Sequence, residues 1–119
     1  MAKLFLTDRV LDDLVDIHDY STEQFGQTVA DRYIQQYDLA FQALRDGPRL
    51  LREREDYPGP LRFYRVKQHW LVCDLIDDRI FVLTVKHGSV DMPARLAELE
   101  PQLQQEVAVV RRRINKQRK

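Results

Sequence analysis

The stretch LRFYRVKQHWLVCDLIDDRIFVLTVKH, residues 61–87, decides how this chain folds. Residues 61–67 alternate between apolar and charged or polar side chains, whereas residues 70–76 and 79–87 are apolar almost throughout. Such runs are typical of a half-buried strand followed by two strands that are covered on both faces. Because the links between them are too short for a crossover, the stretch predicts a three-stranded antiparallel meander.

The sequence before the meander predicts one strand and two helices. Residues 2–7 (AKLFLT) have strand character, and Thr7 is a suitable N-cap for a first helix that ends at Gly26. A second helix begins at once, with Thr28 and Asp31 resembling a capping box. The link between the helices is very short, so they should form an antiparallel hairpin.

After Pro93 the apolar spacing is helical again, from Leu96 to Ile114. Pro101 interrupts this spacing and is best placed in the first turn of a second helical segment. The stripe either covers the protein's own core or pairs with another chain, since exposed apolar stripes attract partners. The predicted fold class is α+β: an N-terminal strand, an antiparallel helical hairpin, a three-stranded antiparallel meander that completes the sheet, and a C-terminal helix.

Composition limits the classes of protein to which the chain can belong. It has 119 residues, 44% of them apolar, which suits one domain with an ordinary core. No run approaches the roughly 18 apolar residues of a membrane helix, and the N-terminus lacks a signal-peptide pattern. We therefore expect a soluble, cytoplasmic protein. Cys73 is the single cysteine and no His/Cys spacing suggests zinc, so we expect no disulfide within the chain, no metal and no cofactor.

Charge is unevenly distributed although the net charge is zero. Residues 111–119 hold six basic and no acidic side chains, which leaves 13 basic and 19 acidic side chains in residues 1–110. The first 46 residues are the most acidic part, with a net charge of −5. A body with this balance does not resemble a general phosphate-binding surface.

The segment LTVKHGSVDMP, residues 83–93, is the part most suggestive of chemistry. Strand alternation places Lys86 on the face of Val82 and Thr84, and His87 on the face of Phe81, Leu83 and Val85. His87 then caps an apolar face, held by a backbone carbonyl, and Asp91 caps the helix that starts near Pro93. Of the other histidines, we expect His18 to be structural, and His69 to be exposed in a turn.

The order of these elements carries a family resemblance. It rests on LTDRVLDDLVDIHDYSTEQFG (6–26), on Tyr33 and Phe41, and on PGPLRFYRVKQHWLVCDLIDDRIFVLTVKHGSVDMPARL (58–96). With these residues the chain resembles the RelE/ParE superfamily of bacterial type II toxins, and the ParE branch most closely. The resemblance covers a toxin domain at 1–96 and leaves 97–119 as a C-terminal helical extension with a basic tail. It implies an antiparallel sheet with a helical hairpin packed on one face.

The resemblance also implies a function. It suggests the toxin of a toxin–antitoxin pair of the kind used in plasmid stabilisation, neutralised by a cognate antitoxin encoded by an adjacent gene. The expected action is binding, with DNA gyrase as the target, and not catalysis. We expect a polar target-binding edge that is formed by Arg62, Arg65, Lys86, His87 and Arg95. We further expect Trp70 to anchor the antitoxin, while Tyr33, Tyr37 and Phe41 either pack under the sheet or line the antitoxin groove.

Two alternatives stay open at this level. One is a ribosome-dependent mRNA endoribonuclease of the RelE type, with Lys86 or His87 as acid and base, and Arg62, Arg65 and Arg95 as phosphate clamps. That chemistry requires several cations converging on one face and a proton donor, yet residues 83–96 contain no tyrosine and the basic residues of strand 61–67 alternate between faces. The other is an inactive toxin-like protein that retains antitoxin binding.

The C-terminal region adds two open questions. The stripe from Leu96 to Ile114 is also a candidate surface for a homodimer or for a hetero-oligomer with the antitoxin. The tail RRRINKQRK (111–119) is either a disordered solubilising end or a contact to DNA, gyrase or an acidic antitoxin.

Overall fold

The computed structural model describes residues 2–117 and has the predicted α+β architecture. Strand β1 is Lys3–Leu6, and helices α1 (Asp8–Phe25) and α2 (Gln27–Asp46) form the hairpin. A 3-10 turn, Pro48–Leu50, leads towards the meander of β2 (Arg62–Val66), β3 (His69–Ile76) and β4 (Arg79–His87). Helix α3 is Met92–Gln117. The last two residues of the predicted basic tail, 118–119, lie outside the described residues.

The four strands form one sheet in the order β1-β4-β3-β2. The meander is antiparallel as predicted, but β1 pairs with β4 in parallel, so the expectation of a fully antiparallel sheet was wrong. The path of the hairpin explains this difference. Helix α2 returns to the start of β1, where the Ala2 N–H donates to the Arg45 carbonyl at 2.9 Å. The meander therefore starts at the same end of the sheet as β1, and its third strand runs in the same direction.

The sheet has a separate apolar core on each face. The hairpin covers one face, which we call the hairpin face; Tyr37, Phe41 and Leu44 of α2 are among its buried residues. Helix α3 covers the other face, where Phe63 and Phe81 of the sheet are fully buried. The stripe that begins at Leu96 is thus buried against the chain's own sheet, and α3 passes through the predicted domain boundary at residue 96 without a break.

A β-bulge in β4 changes which residues face each helix layer. Val72 of β3 pairs with Thr84 and Cys73 pairs with Val82, so Leu83 is one extra residue. Simple alternation predicted that His87 shares a face with Phe81 and Leu83, and this was wrong. The extra residue shifts the alternation by one, which brings Val85 and His87 to the hairpin face. It also moves Lys86, which was expected on the face of Val82, to the α3 face opposite Trp70.

The first turns of α1 satisfy polar groups around this bulge. Thr7 is the predicted N-cap: its hydroxyl accepts from the Val10 N–H at 3.3 Å and lies 3.2 and 3.0 Å from the carbonyls of Val82 and Leu83. One turn later, the Asp13 carboxylate accepts from the Thr84 hydroxyl at 2.6 Å and from the Val85 N–H at 3.0 Å. These contacts fix α1 against the irregular part of β4.

Two predicted helix starts were wrong. Thr28 does not cap α2, whose N-cap is Gly26 with φ 88°, a left-handed conformation that glycine adopts at little cost. Pro101 lies inside a continuous α3 instead of beginning a new segment. Leu96 before it and Leu103 after it are both buried, which holds the two halves of the helix on one surface. The proline leaves the carbonyl of Ala97 without its N–H partner, and Ala97 is exposed.

Among residues 2–117, no helix combines the length and hydrophobicity that crossing a membrane requires.

Candidate binding groove

A groove of about 700 Å³ lies between the turn end of the helical hairpin and the β2–β3 turn. One wall is apolar, formed by Ile17 and Tyr20 of α1, by Phe25 before the turn and by Val29 of α2. Three of these side chains are strongly exposed: Tyr20 by 63%, Phe25 by 66% and Val29 by 45%. Exposed aromatic and aliphatic side chains around a concavity are typical of a surface that binds a partner.

The opposite end of the groove is polar and begins with Tyr33 and His69. The Tyr33 hydroxyl lies 2.6 Å from His69 Nδ1, and the buried Tyr37 donates its own hydroxyl proton to the Tyr33 oxygen at 3.2 Å. The single proton of the Tyr33 hydroxyl has two acceptors within reach, His69 Nδ1 at 2.6 Å and the Val66 carbonyl at 3.4 Å, and the shorter distance favours donation to His69. The ring proton of neutral His69 is then on Nε2.

His87 lies next to His69 and has the same tautomer. The two strands pair these residues directly, and the ring centroids are 5.2 Å apart with the planes nearly perpendicular. Nδ1 of His87 accepts from the Ser89 backbone N–H at 3.1 Å, and it lies 2.7 Å from the Ser89 hydroxyl. The prediction that a backbone carbonyl holds His87 was therefore wrong: a backbone N–H does so, and the proton of the neutral ring is on Nε2.

The pKa of His69 is lowered from its ordinary value of 6.5, mainly because burial disfavours the imidazolium and additionally because His87 is close. The unfolded chain consequently binds more protons than the folded chain when the pH falls below about 6.5. The free energy that neutral His69 contributes to folding is therefore fully present above about pH 6.5, and it is lost as the pH falls through the lowered pKa of His69.

We expect the free energy of unfolding to fall between pH 7.5 and pH 5, and the fall to be smaller in His69→Gln. Urea unfolding of both proteins at the two pH values measures the difference. Equal losses of stability in the two proteins would show that His69 is not held in its neutral form.

The structure separates the five residues that were predicted as a target-binding edge. His87 is in the groove, whereas Arg62 is at the opposite end of β2, 3.2 Å from Glu53. Arg65 lies over the Trp70 ring at 5.2 Å on the α3 face, and Lys86 pairs with Trp70 across the strands. Arg95 of α3 is 3.7 Å from Glu98. Arg65 and Lys86 thus share one end of the α3 face, while Arg62, Arg65, Lys86 and His87 do not converge as the alternative catalytic set requires.

The four residues predicted to contact an antitoxin also lie in different places. Tyr33 lines the groove. Tyr37 and Phe41 are 1% and 5% exposed and pack under the sheet, which was the other interpretation of their pattern. Trp70 is partly buried on the α3 face against Phe63, with ring centroids 6.4 Å apart.

Sequence reasoning missed several groove residues. His69 was expected in a turn but is the first residue of β3, where pairing with His87 fixes it. His18, which was expected to be structural, lies outside the groove lining and is 2.8 Å from Asp31. Phe25 and Val29 are apolar, lie outside the apolar stripes of their helices and flank Gly26, and this pattern in the sequence could have indicated an exposed apolar surface.

Within residues 2–117, no group of three or more His, Cys, Asp or Glu side chains is placed to hold a metal ion, and Cys73 is buried.

Comparisons with known proteins agree with this architecture. A solved structure similar to the chain is that of the chromosomal ParDE TA system from P. aeruginosa, with a TM-score of 0.64 and 17% sequence identity. The similarity covers 73% of this chain and 96% of that chain, and at this identity it concerns the fold. No match was found among curated proteins. A family model described as the ParE toxin of the type II toxin–antitoxin system parDE matches residues 4–92. Since that match spans most of the chain, the protein belongs to the ParE toxin family of type II toxin–antitoxin systems.

Proposed function

We propose that this chain is a toxin that acts by binding a protein target, and that an antitoxin encoded beside it neutralises it by placing a segment in the hairpin groove. The observation that carries the proposal is the groove itself, with Tyr20, Phe25 and Val29 exposed on one wall. Aromatic anchors in a concavity are typical of the energetic centre of an interface. An antitoxin is the partner that the family implies.

The dispersal of the basic residues supports binding over RNA cleavage. Cleavage of RNA without a metal requires cations and a proton donor around one phosphate, whereas Lys86 and His87 lie on opposite faces of β4. On the α3 face, Arg65 and Lys86 flank the partly exposed Trp70. We propose this pair as the target-binding edge, with DNA gyrase as the target that the family resemblance suggests.

The antitoxin site is tested by placing a charge in the groove. We expect Val29→Asp to weaken binding of the adjacent gene's product by about 30-fold or more, equivalent to about 2 kcal/mol, because the carboxylate must be desolvated against apolar side chains. Affinity of the purified proteins, measured by calorimetry, gives the change. Ala108→Asp adds the same charge to an exposed position of α3 on the other side of the sheet and serves as the control. Equal affinity of Val29→Asp and the unaltered toxin would exclude the groove as the antitoxin site.

The mode of action is tested in two assays on the purified chain. Inhibition of gyrase supercoiling, weakened in Arg65→Glu/Lys86→Glu, together with intact messenger RNA in a translating extract, is the expected result. Cleaved messenger RNA that depends on His87 or Lys86 would contradict action by binding and would favour the endoribonuclease alternative. Absence of both effects, with tight antitoxin binding, would identify an inactive member of the family.

A further inference from the structure

The polar end of the groove presents N–H donors and few acceptors. Nδ1 of His87 accepts from the Ser89 N–H, and donation of the Tyr33 proton along its shorter contact makes Nδ1 of His69 an acceptor too, so both neutral rings carry their proton on Nε2. Within residues 2–117, neither Nε2 has a hydrogen-bond partner among the side chains or the backbone. Lys67, in the β2–β3 turn, lines the same groove with an exposed ammonium group. Two imidazole donors and one cation together form a site that suits an anion.

We infer that this end of the groove is a carboxylate-binding site, formed by His69, His87 and Lys67, and that the polypeptide segment occupying the groove places an acidic group there. This rests on the proposed function in that the groove is a partner site, and it adds the chemistry of the occupant. An apolar side chain of the same segment packs beside Phe25 and Val29. The site therefore selects a segment both by its side chains and by the direction in which its backbone runs.

The charge of the surrounding surface favours a polypeptide over a nucleic acid. Asp16 lines the groove, and α1 also exposes Asp12, Asp19 and Glu23. A polyanion that reached His69 and His87 would pass this acidic helix and be repelled along its length. A segment with one carboxylate at the histidine end and basic side chains towards α1 matches both regions.

The protonation of His69 should couple to this binding. The groups that face His69 and His87 are Asp16 on α1, Tyr33 on α2, Lys67 in the β2–β3 turn, and each other. Asp13 of α1 already accepts hydrogen bonds from Thr84 and from Val85, which lies two residues before His87 on β4. A bound carboxylate favours the imidazolium form of His69, so affinity should rise as the pH is lowered from 8 to 6.

Nuclear magnetic resonance of the full-length protein tests the carboxylate site with small probes. We expect 3-phenylpropionate to shift the Cε1–H signals of His69 and His87 saturably, with His18 as an internal reference, and to bind about tenfold more tightly than the matched neutral 3-phenylpropanol. The variants His69→Gln/His87→Gln and Lys67→Gly should each weaken phenylpropionate binding. Lys67→Gly removes the charge but suits the turn, because Lys67 has φ 54°. His18→Gln is the matched control and should leave the affinity unchanged.

The outcomes separate this inference from the proposed function. Equal binding of phenylpropionate and phenylpropanol, or unmoved signals of His69 and His87, would overturn the carboxylate site. Saturable binding of inorganic phosphate in preference to phenylpropionate would assign the site to phosphate groups and overturn the polypeptide occupant. The titration needs neither a partner nor toxicity, so failure of the antitoxin or gyrase assays would leave a positive titration valid.

Discussion

Replacing Leu103 by alanine is expected to lower the free energy of unfolding by about 2–5 kcal/mol, the usual cost of a cavity in a packed core. Leu103 is 1% exposed and belongs to the cluster in which α3 covers Phe63 and Phe81. It lies beyond residue 96, where sequence patterns predicted the end of the toxin domain. Urea unfolding followed by far-ultraviolet circular dichroism measures the change.

Leu39→Ala is the matched control, since Leu39 is 61% exposed on α2 and the same atoms are removed without leaving a cavity. We expect this variant to remain within about 0.5 kcal/mol of the unaltered protein. If Leu103→Ala were equally mild, α3 would not be part of the cooperative core and residues 97–119 would be an appendage. A large effect would show instead that the toxin domain needs this helix for its stability.

Replacing Asp13 by alanine is expected to destabilise the protein by about 2–4 kcal/mol. Its carboxylate is the acceptor for the Thr84 hydroxyl and the Val85 N–H, and Thr84 is fully buried. Loss of the acceptor leaves two donors unsatisfied beside the bulge, each costing about 1–3 kcal/mol if no water replaces it. Thermal and urea unfolding give the loss.

Two companion variants make the Asp13 result interpretable. Asp12→Ala removes a neighbouring exposed carboxylate of the same helix and should change stability by less than about 0.5 kcal/mol. Asp13→Asn keeps an acceptor oxygen without the charge, and its loss should lie between those of the two alanine variants. Equal stability of Asp12→Ala and Asp13→Ala would mean that the carboxylate does not hold α1 to β4.

Much of the fold could be predicted because its signals are local. Thr7 at the start of α1, Gly26 between the helices and the short links of the meander each determine a neighbouring stretch of backbone. The direction of β1 relative to β4 could not be predicted in this way, since it depends on where α2 returns the chain. Continuity of α3 through Pro101 depends likewise on the sheet beneath it.

The candidate site was harder to predict because it depends on pairing between distant residues. His69 and His87 meet only because β3 and β4 pair in a particular register. That register contains a bulge that no residue type in the sequence indicates. The resemblance led us to expect one target-binding edge formed by five residues: Arg62, Arg65, Lys86, His87 and Arg95. In the folded chain the first four divide between the two faces and the two ends of the sheet, and Arg95 lies on α3.

The bulge at Leu83 also decides which kind of donor lies beside His69. In a regular strand with the same sequence, Lys86 would take the place of His87 beside His69. A lysine offers three donors on a flexible four-carbon stem and has no acceptor, whereas the His87 ring accepts the Ser89 N–H through Nδ1 and carries its own proton on Nε2. One inserted backbone residue thus replaces a flexible point charge with a ring of fixed orientation, without any change in the side chains themselves.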